Sequence, residues 1–158
     1  GPDALRELLD LLFADGNLQH AGHAFLYSSV THLMLGRSPT DEANRRVLMC
    51  DREAAGATAA CAVIRRDVWD EVGGMWEGLP ASFNDVDLCQ KLRFRGYRIV
   101  VSPHARLYHF ESVSRNPQVL AWEVEAINDR WRHRVYTDPY LNPNWADHRA
   151  QLIEPTNW

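Results

Sequence analysis

The segment Phe83-Asn84-Asp85-Val86-Asp87-Leu88-Cys89 constrains the fold more than any other part of this sequence. An apolar stretch leads into two closely spaced carboxylates, which predict the start of an amphipathic helix of about three turns that stops at Gly96. A short β-like segment after this glycine delivers His109. A carboxylate and a histidine at the ends of neighbouring elements are suited to deprotonating a hydroxyl beside a metal ion.

The order of the other patterns predicts an α/β layer architecture. Leucines spaced as on one helical face predict a first helix, and Asn84 or Asp85 is the expected N-cap of the central helix. The last helix is expected to begin at Asn116-Pro117 and to bury one stripe of side chains. The predicted elements are a helix over Leu5–Leu12, a surface loop over Leu33–Glu53, a buried strand over Ala57–Ile64, a helix over Arg66–Val72 closed by Gly73, strands over Arg98–Ser102 and Ala105–Phe110, and a last helix with the stripe Leu120, Val124, Ile127 and Trp131.

Composition limits the classes of function. The 158 residues fit a single domain over 1–158, with 46% hydrophobic residues to build a core, and we expect 1–2 to be a tag remnant and 136–158 an irregular tail. A net charge of −4 disfavours nucleic acid as a partner. The longest apolar run, Ala59–Ile64, is too short to cross a bilayer, and no signal peptide is visible. Three cysteines without CxxC spacing indicate reduced thiols, so we expect a cytoplasmic location.

Each candidate site residue also has an ordinary structural interpretation. Asp85 and Asp87 lie about 200° apart on a helix and cannot jointly hold one ion, and either carboxylate also suits a cap or a partner of the helix dipole. His109 suits a metal or a phosphate, or a purely structural hydrogen bond. His20 and His23 have HxxH spacing, but the intervening Gly22 argues against ligand geometry on a helix.

Tryptophan faces suit the stacking of sugar rings. Trp76 directly follows the Gly73-Gly74 turn, so among the tryptophans it is the best candidate for an exposed ring that stacks on a sugar. Trp69, Trp122 and Trp131 stand at helical spacings and are expected in the core.

Several motifs in the same order resemble the C-terminal half of family 2 glycosyltransferases. The resemblance runs from about residue 12 to residue 145. The segments that carry it are Phe13–Gly22, Thr58–Asp67, Val72-Gly73-Gly74-Met75 with Glu77, Phe83–Cys89, Gly96-Tyr97-Arg98, Pro103-His104-Ala105, Leu107-Tyr108-His109 with Glu111-Ser112, and Asp138-Pro139-Tyr140 with Asn142-Pro143-Asn144.

This resemblance implies an inverting transfer of a sugar from a nucleotide-diphospho-sugar donor to the hydroxyl of a glycan acceptor. The general base of the family maps onto Asp85, and Asn84 replaces the glutamate that usually precedes it. The histidine that helps to hold Mn²⁺ or Mg²⁺ maps onto His109. The residues expected beside the acceptor are Gly73, Gly74, Trp76, Asn84 and Asp87.

The resemblance also implies a partial GT-A fold, a mixed sheet with flanking helices. The family's N-terminal half, with its nucleotide pocket and metal-binding Asp-x-Asp motif, has no counterpart in this sequence. We therefore expect the 158 residues to be inactive alone and to self-associate through an exposed sheet edge, which the Leu5–Leu12 helix would help to cover. The parent enzyme is expected to act in bacterial surface polysaccharide synthesis, in the cytoplasm or peripherally at the inner membrane face.

Two other classes of function stay open. A non-catalytic module would bind a glycan or a partner protein, and its binding would survive replacement of Asp85 by asparagine. A metal-dependent hydrolase would use His20, His23, His109 and Asp85, and it would require tight stoichiometric Zn²⁺.

Overall fold

The computed structural model describes residues 3–26, 29–110, 118–132, 134 and 138–141. Within these residues the chain has a mixed α/β architecture, as the sequence predicts. A 3-10 turn covers Ala59–Cys61. The strands are β1 (Asp3–Leu12), β2 (Leu18–His20), β3 (His23–Leu26), β4 (Ser29–His32), β5 (Arg52–Glu53), β6 (Ala62–Ile64) and β7 (Arg98–Tyr108), and the helices are α1 (Glu42–Val47), α2 (Arg66–Val72), α3 (Asn84–Phe94) and α4 (Ala121–Trp131).

The sheet is organised around β1, which the sequence wrongly predicts as a helix over Leu5–Leu12. β1 runs parallel to β7 from Asp3 opposite Arg98 to Leu12 opposite Tyr108. Its other edge pairs antiparallel with β6 near one end and with β2 near the other, and β5 pairs antiparallel with β7. Hydrogen bonds to three strands therefore outweigh the helical spacing of the leucines.

β7 is one strand rather than the two predicted around Pro103. Its register against β1 shifts between Val101, opposite Glu7, and Ala105, opposite Leu9. Pro103 has no N–H to donate to a β-ladder, and a strand tolerates proline at such an irregularity in the pairing.

Two other regions are more ordered, or ordered differently, than predicted. The expected loop over Leu33–Glu53 contains α1 and β5. The expected buried strand over Ala57–Ile64 is the 3-10 turn followed by the short β6, where Val63 is 55% exposed. The segment Ala57–Ile64 is therefore partly exposed rather than buried as predicted.

Helices α2 and α3 lie where the sequence predicts them. α2 ends at Gly73, which adopts the left-handed conformation with φ of 72°. The N-cap of α3 is Phe83, with φ of 62°, rather than Asn84 or Asp85. Both polar residues therefore lie in the first turn, where free N–H groups donate hydrogen bonds to their side-chain oxygens.

Helix α4 buries a different stripe from the predicted one. Ile127 is buried, but Leu120 and Val124 are 44% and 37% exposed, and the fully buried position between them is Glu123. Trp122, also expected in the core, is 45% exposed. The predicted start at Asn116-Pro117 lies outside the described residues, as does most of the predicted tail.

The core of the described residues has three apolar clusters, two of which include residues of α3. The described residues contain no helix long and apolar enough to cross a membrane. The buried members of the clusters are Ala57, Val68, Leu88, Cys89, Leu92 and Ile99, then Leu12, Leu18, Ala21, Ala24, Leu33, Met34 and Leu48, and then Phe25, Ala55, Leu79, Val86 and Ile127.

Candidate functional site

A cavity of about 560 Å³ opens where the β3–β4 hairpin, the 3-10 turn and the start of α3 meet. The loop over residues 80–83 forms another wall. This volume is within the range of sites that hold small molecules. Its polar lining side chains include Gln19, His23, His32, Asn84, Asp85 and His109.

Among the described residues, Asp85 is the one that contributes a carboxylate to the cavity wall. Its Oδ2 accepts the N–H of Ala59 at 3.2 Å and its Oδ1 accepts the N–H of Val86 at 2.8 Å. Burial raises the pKa of Asp85, but the nearby His23 and these two N–H donors outweigh it, and the pKa lies below its usual value. The carboxylate is therefore ionised at neutral pH.

Three imidazoles, those of His20, His23 and His32, form a cluster next to Asp85. The ring centroid of His20 lies 4.9 Å from that of His23 and 4.5 Å from that of His32, and the other pair is 5.5 Å apart. Burial lowers the pKa of His20 well below its ordinary value and lowers that of His23 to about 3. Both buried rings are therefore neutral at neutral pH, the state that offers a nitrogen lone pair.

The local fold explains why these rings meet. The register of the β3–β4 hairpin places His23 directly opposite His32. The N–H of His23 donates to the carbonyl of Gly56 at 2.8 Å, and a Cβ on Gly56 would lie 2.9 Å from Nδ1 of His23. Glycine is therefore required at this position for the backbone to approach the imidazole so closely.

Gln19 links the histidine cluster to His109. The carbonyl of Gln19 lies 3.2 Å from Nδ1 of His32, and the side-chain Oε1 of Gln19 lies 2.8 Å from Nδ1 of His109. Because both partners are acceptors, each Nδ1 carries the hydrogen. The amide Nε2 of Gln19 is buried and has no hydrogen-bond partner among the described residues, so it is available to an oxygen of a bound molecule.

Asp87 lies on a different side of α3 from the cavity. Its carboxylate is fully buried, and its Oδ1 accepts Nε–H of Arg130 at 2.6 Å and Nε1–H of Trp131 at 2.8 Å. Its Oδ2 lies 3.1 Å from Nζ of Lys91. This carboxylate joins α3 to α4 and does not line the cavity where an acceptor role was predicted for it.

The predicted acceptor residues after α2 also lie outside the cavity lining. Gly73 and Gly74 form the end of α2, and a Cβ on Gly74 would lie 2.8 Å from the ring of Trp69. Trp76 is partly buried in the core, and the guanidinium of Arg130 lies 4.6 Å from the centroid of its ring. The glycine turn and Trp76 therefore have clear packing roles.

Of the predicted site residues, the structure brings Asn84, Asp85 and His109 to one cavity. Sequence reasoning missed Gln19 and His32. His32 has no local motif, and the signal that would have found it is the hairpin pairing with His23. The predicted HxxH pair does converge, but through a turn between strands rather than along a helix.

The fold and the cavity define a mixed α/β domain with a carboxylate and a histidine cluster at one polar site. The chain is 38% identical over 155 residues to "Uncharacterized protein y4gI" of Sinorhizobium fredii (strain NBRC 101917 / NGR234), covering 90% of this chain and 17% of that protein. It is 31% identical over 140 residues to "O-antigen biosynthesis protein RfbC" of Myxococcus xanthus, covering 85% of this chain and 11% of that protein.

The chain thus spans less than a fifth of the length of each of these curated relatives, at 17% and 11%. No family model and no solved structure matches the chain.

Proposed function

We propose that this chain is the acceptor-side part of an inverting glycosyltransferase that acts in the synthesis of a surface polysaccharide. The observation that carries the proposal is the position of Asp85, an ionised carboxylate on the wall of the cavity at the head of α3. The similarity to an O-antigen biosynthesis protein supports the polysaccharide part of the proposal.

The chemistry requires a group that accepts the proton of a sugar hydroxyl as that oxygen attacks the donor. The bond from the donor's anomeric carbon to the phosphate oxygen breaks, and the bond from that carbon to the acceptor oxygen forms. The hydroxyl proton passes to a carboxylate oxygen of Asp85, and the leaving diphosphate keeps the electron pair of the broken bond. Because the acceptor oxygen becomes more acidic during attack, a carboxylate of low pKa suffices for this transfer.

The surroundings of Asp85 suit such a role. The N–H groups of Ala59 and Val86 fix the carboxylate, so little reorganisation is required when a hydroxyl arrives. Nε2 of Gln19, which has no hydrogen-bond partner within the described part of the chain, offers a hydrogen bond to another acceptor oxygen. Asn84 lines the same cavity and adds an amide that both donates and accepts.

Mg²⁺ or Mn²⁺, which the family resemblance implies, does not fit the described cavity as an oxygen-liganded ion. The cavity wall supplies one described carboxylate, Asp85, whereas these ions prefer several oxygen ligands. Nδ1 of His109 is engaged with Gln19. No step of the proton transfer is therefore assigned to a metal.

The test is sugar transfer by the longer natural polypeptide that contains this segment, supplied with UDP-, GDP- and dTDP-sugars and the polysaccharide acceptor of its host. We expect Asp85→Asn to lower kcat by about 10²–10⁴-fold, the usual contribution of a positioned general base. Asp67→Asn is the matched control, because Asp67 is exposed and pairs with Arg65 outside the cavity. Equal activity of the parent and Asp85→Asn would refute the base assignment.

The non-catalytic alternative predicts a different pattern. The chain would bind a glycan, the longer polypeptide would transfer no sugar, and Asp85→Asn would leave the binding intact. Calorimetric titration of the 158 residues with the same donors and Mn²⁺ adds a separate test. We expect no heat from any donor, and clear binding of one donor would show that this chain contains a nucleotide site.

A further inference from the structure

We propose that His20, His23 and His32 form a three-histidine site for a zinc-class transition-metal ion. This inference rests on the geometry of the described residues, and it does not depend on the proposed glycosyl transfer. One ligand nitrogen from each ring can be chosen so that all three lie within 4.8 Å of one another.

The separation of the nitrogens is close to that of a metal centre. Two nitrogens bound at about 2.0–2.1 Å in a tetrahedral arrangement are separated by about 3.4 Å. The widest pair here needs to close by little more than an ångström. His32 is only half-buried, so rotation of its side chain can supply much of this movement.

The hydrogen bonds around the rings favour ligation. The carbonyl of Gln19 fixes the hydrogen of His32 on Nδ1, which places the lone pair on Nε2. Ligating histidines commonly donate a hydrogen bond from their other ring N–H to a backbone carbonyl in this way. The ring of His20 accepts the N–H of Thr58 at 3.3 Å, a long contact that a metal bond would readily replace.

The third ring, that of His23, has a buried Nδ1 with no hydrogen-bond partner among the described residues. A buried nitrogen without a partner costs stability unless something is bound to it. The carboxylate of Asp85 lines the same cavity as His23 and His32, so it would offset part of the charge of a divalent ion held there.

The donor set selects the class of metal. Imidazole nitrogen suits Zn²⁺, Co²⁺, Ni²⁺ and Cu²⁺, whereas Mg²⁺ prefers oxygen. Three histidines without a fourth protein ligand are typical of zinc sites that keep one position for water or substrate. Since His23 and His32 line the cavity, an ion held by them would lie at its wall.

The experiment titrates the chelator-treated 158-residue chain with Zn²⁺ by calorimetry, and with Co²⁺ by visible absorption. We expect one ion per chain and a cobalt spectrum of nitrogen ligation without a thiolate charge-transfer band. His32→Ala should weaken Zn²⁺ binding by more than about 100-fold, because loss of outer-shell partners alone costs about 10–100-fold. His104→Ala is the matched control, because the side chain of His104 is 74% exposed on β7, and it should bind Zn²⁺ like the parent.

X-ray absorption of the zinc-loaded parent chain provides a readout that needs no variant. We expect scattering from three imidazoles at about 2.0 Å. The inference is overturned if no stoichiometric Zn²⁺ binds, if His32→Ala binds Zn²⁺ as tightly as the parent, or if sulfur dominates the ligand shell. Failure of sugar transfer leaves these measurements unaffected, so the two proposals fail separately.

Discussion

Replacing Asp87 with alanine removes the carboxylate through which α3 holds α4. Asp87 is fully buried and accepts hydrogen bonds from Arg130 at 2.6 Å and from Trp131 at 2.8 Å, with Lys91 at 3.1 Å. Breaking a buried ion pair on one side costs about 3–5 kcal/mol. Because the Arg130 side chain is 38% exposed and can regain water, we expect the low end, a loss of about 3 kcal/mol in the free energy of unfolding.

The assay is urea denaturation followed by circular dichroism, with the change in unfolding free energy taken from the shift of the midpoint at constant slope. Asp85→Asn is the matched comparison, because asparagine keeps one acceptor oxygen for the two N–H groups there. We expect that variant to stay within about 1 kcal/mol of the parent. If Asp87→Ala lies within about 0.5 kcal/mol of the parent, Asp87 does not anchor α4.

Three further predictions follow from other parts of the molecule. Gly74→Ala should lower the free energy of unfolding by more than about 2 kcal/mol, because its Cβ would lie 2.8 Å from the Trp69 ring. A Cβ at Gly73 meets no atom of the described residues within 4 Å, so Gly73→Ala should cost only about 1–2 kcal/mol for its positive φ. In metal-free protein, the free energy of unfolding should fall as the pH drops from 6.5 towards 3, because His23 takes up a proton in the unfolded chain over this range but not in the folded chain. The loss is at most about 5 kcal/mol, and urea denaturation at each pH measures it. The exposed end of β7 should promote reversible self-association, and Leu107→Lys should weaken the dimer about tenfold in sedimentation equilibrium.

A specific result would contradict each of these three predictions. Equal stability of the two glycine variants would mean that the Trp69 ring moves aside at little cost. A His23→Gln variant that retains the parent's loss of stability between pH 6.5 and pH 3 would assign the acid effect to other groups. A parent chain that stays monomeric at all concentrations would contradict the self-association that its sheet edge suggests.

Local sequence signals predicted the positions of helices α2 and α3 well. Helix α2 ends at Gly73 because a left-handed residue without a Cβ closes a helix cheaply, and that signal lies entirely within a few residues. Helix α3 was predicted from its periodicity and from the stop at Gly96, where φ is 82°. Only its N-cap was predicted wrongly, because the N-cap is Phe83, in the left-handed conformation, rather than Asn84 or Asp85.

The strand β1 shows where local signals fail. Its leucines repeat as in a helix, but its partner β7 is far along the chain and pairs with it over most of its length. A sequence pattern cannot show which distant segment supplies hydrogen bonds. Tertiary pairing therefore decided the conformation of a segment whose own pattern favours another state.

The candidate site likewise contains residues that a local motif predicts and residues that only the tertiary structure places there. Asp85 was predicted from its position at the head of a helix and from the family resemblance, and it lines the cavity with Asn84 and His109. His32 and Gln19 carry no motif, since a hairpin register and a side-chain hydrogen bond place them there. Trp76 was expected to be exposed for sugar stacking, but packing against Arg130 draws it into the core region.

The helix geometry of the Asp85-Val86-Asp87 segment explains how one short motif has two uses. Carboxylates two residues apart point about 200° from each other, so one faces the cavity while the other faces α4. α4 in turn reaches the cavity rim, because buried Glu123 accepts the N–H of Ser82 at 2.8 Å. Asp87 and Glu123 therefore hold α4 against both ends of the segment that presents Asp85. We infer that a variant which loosens α4 would disturb the cavity without altering any group that lines it.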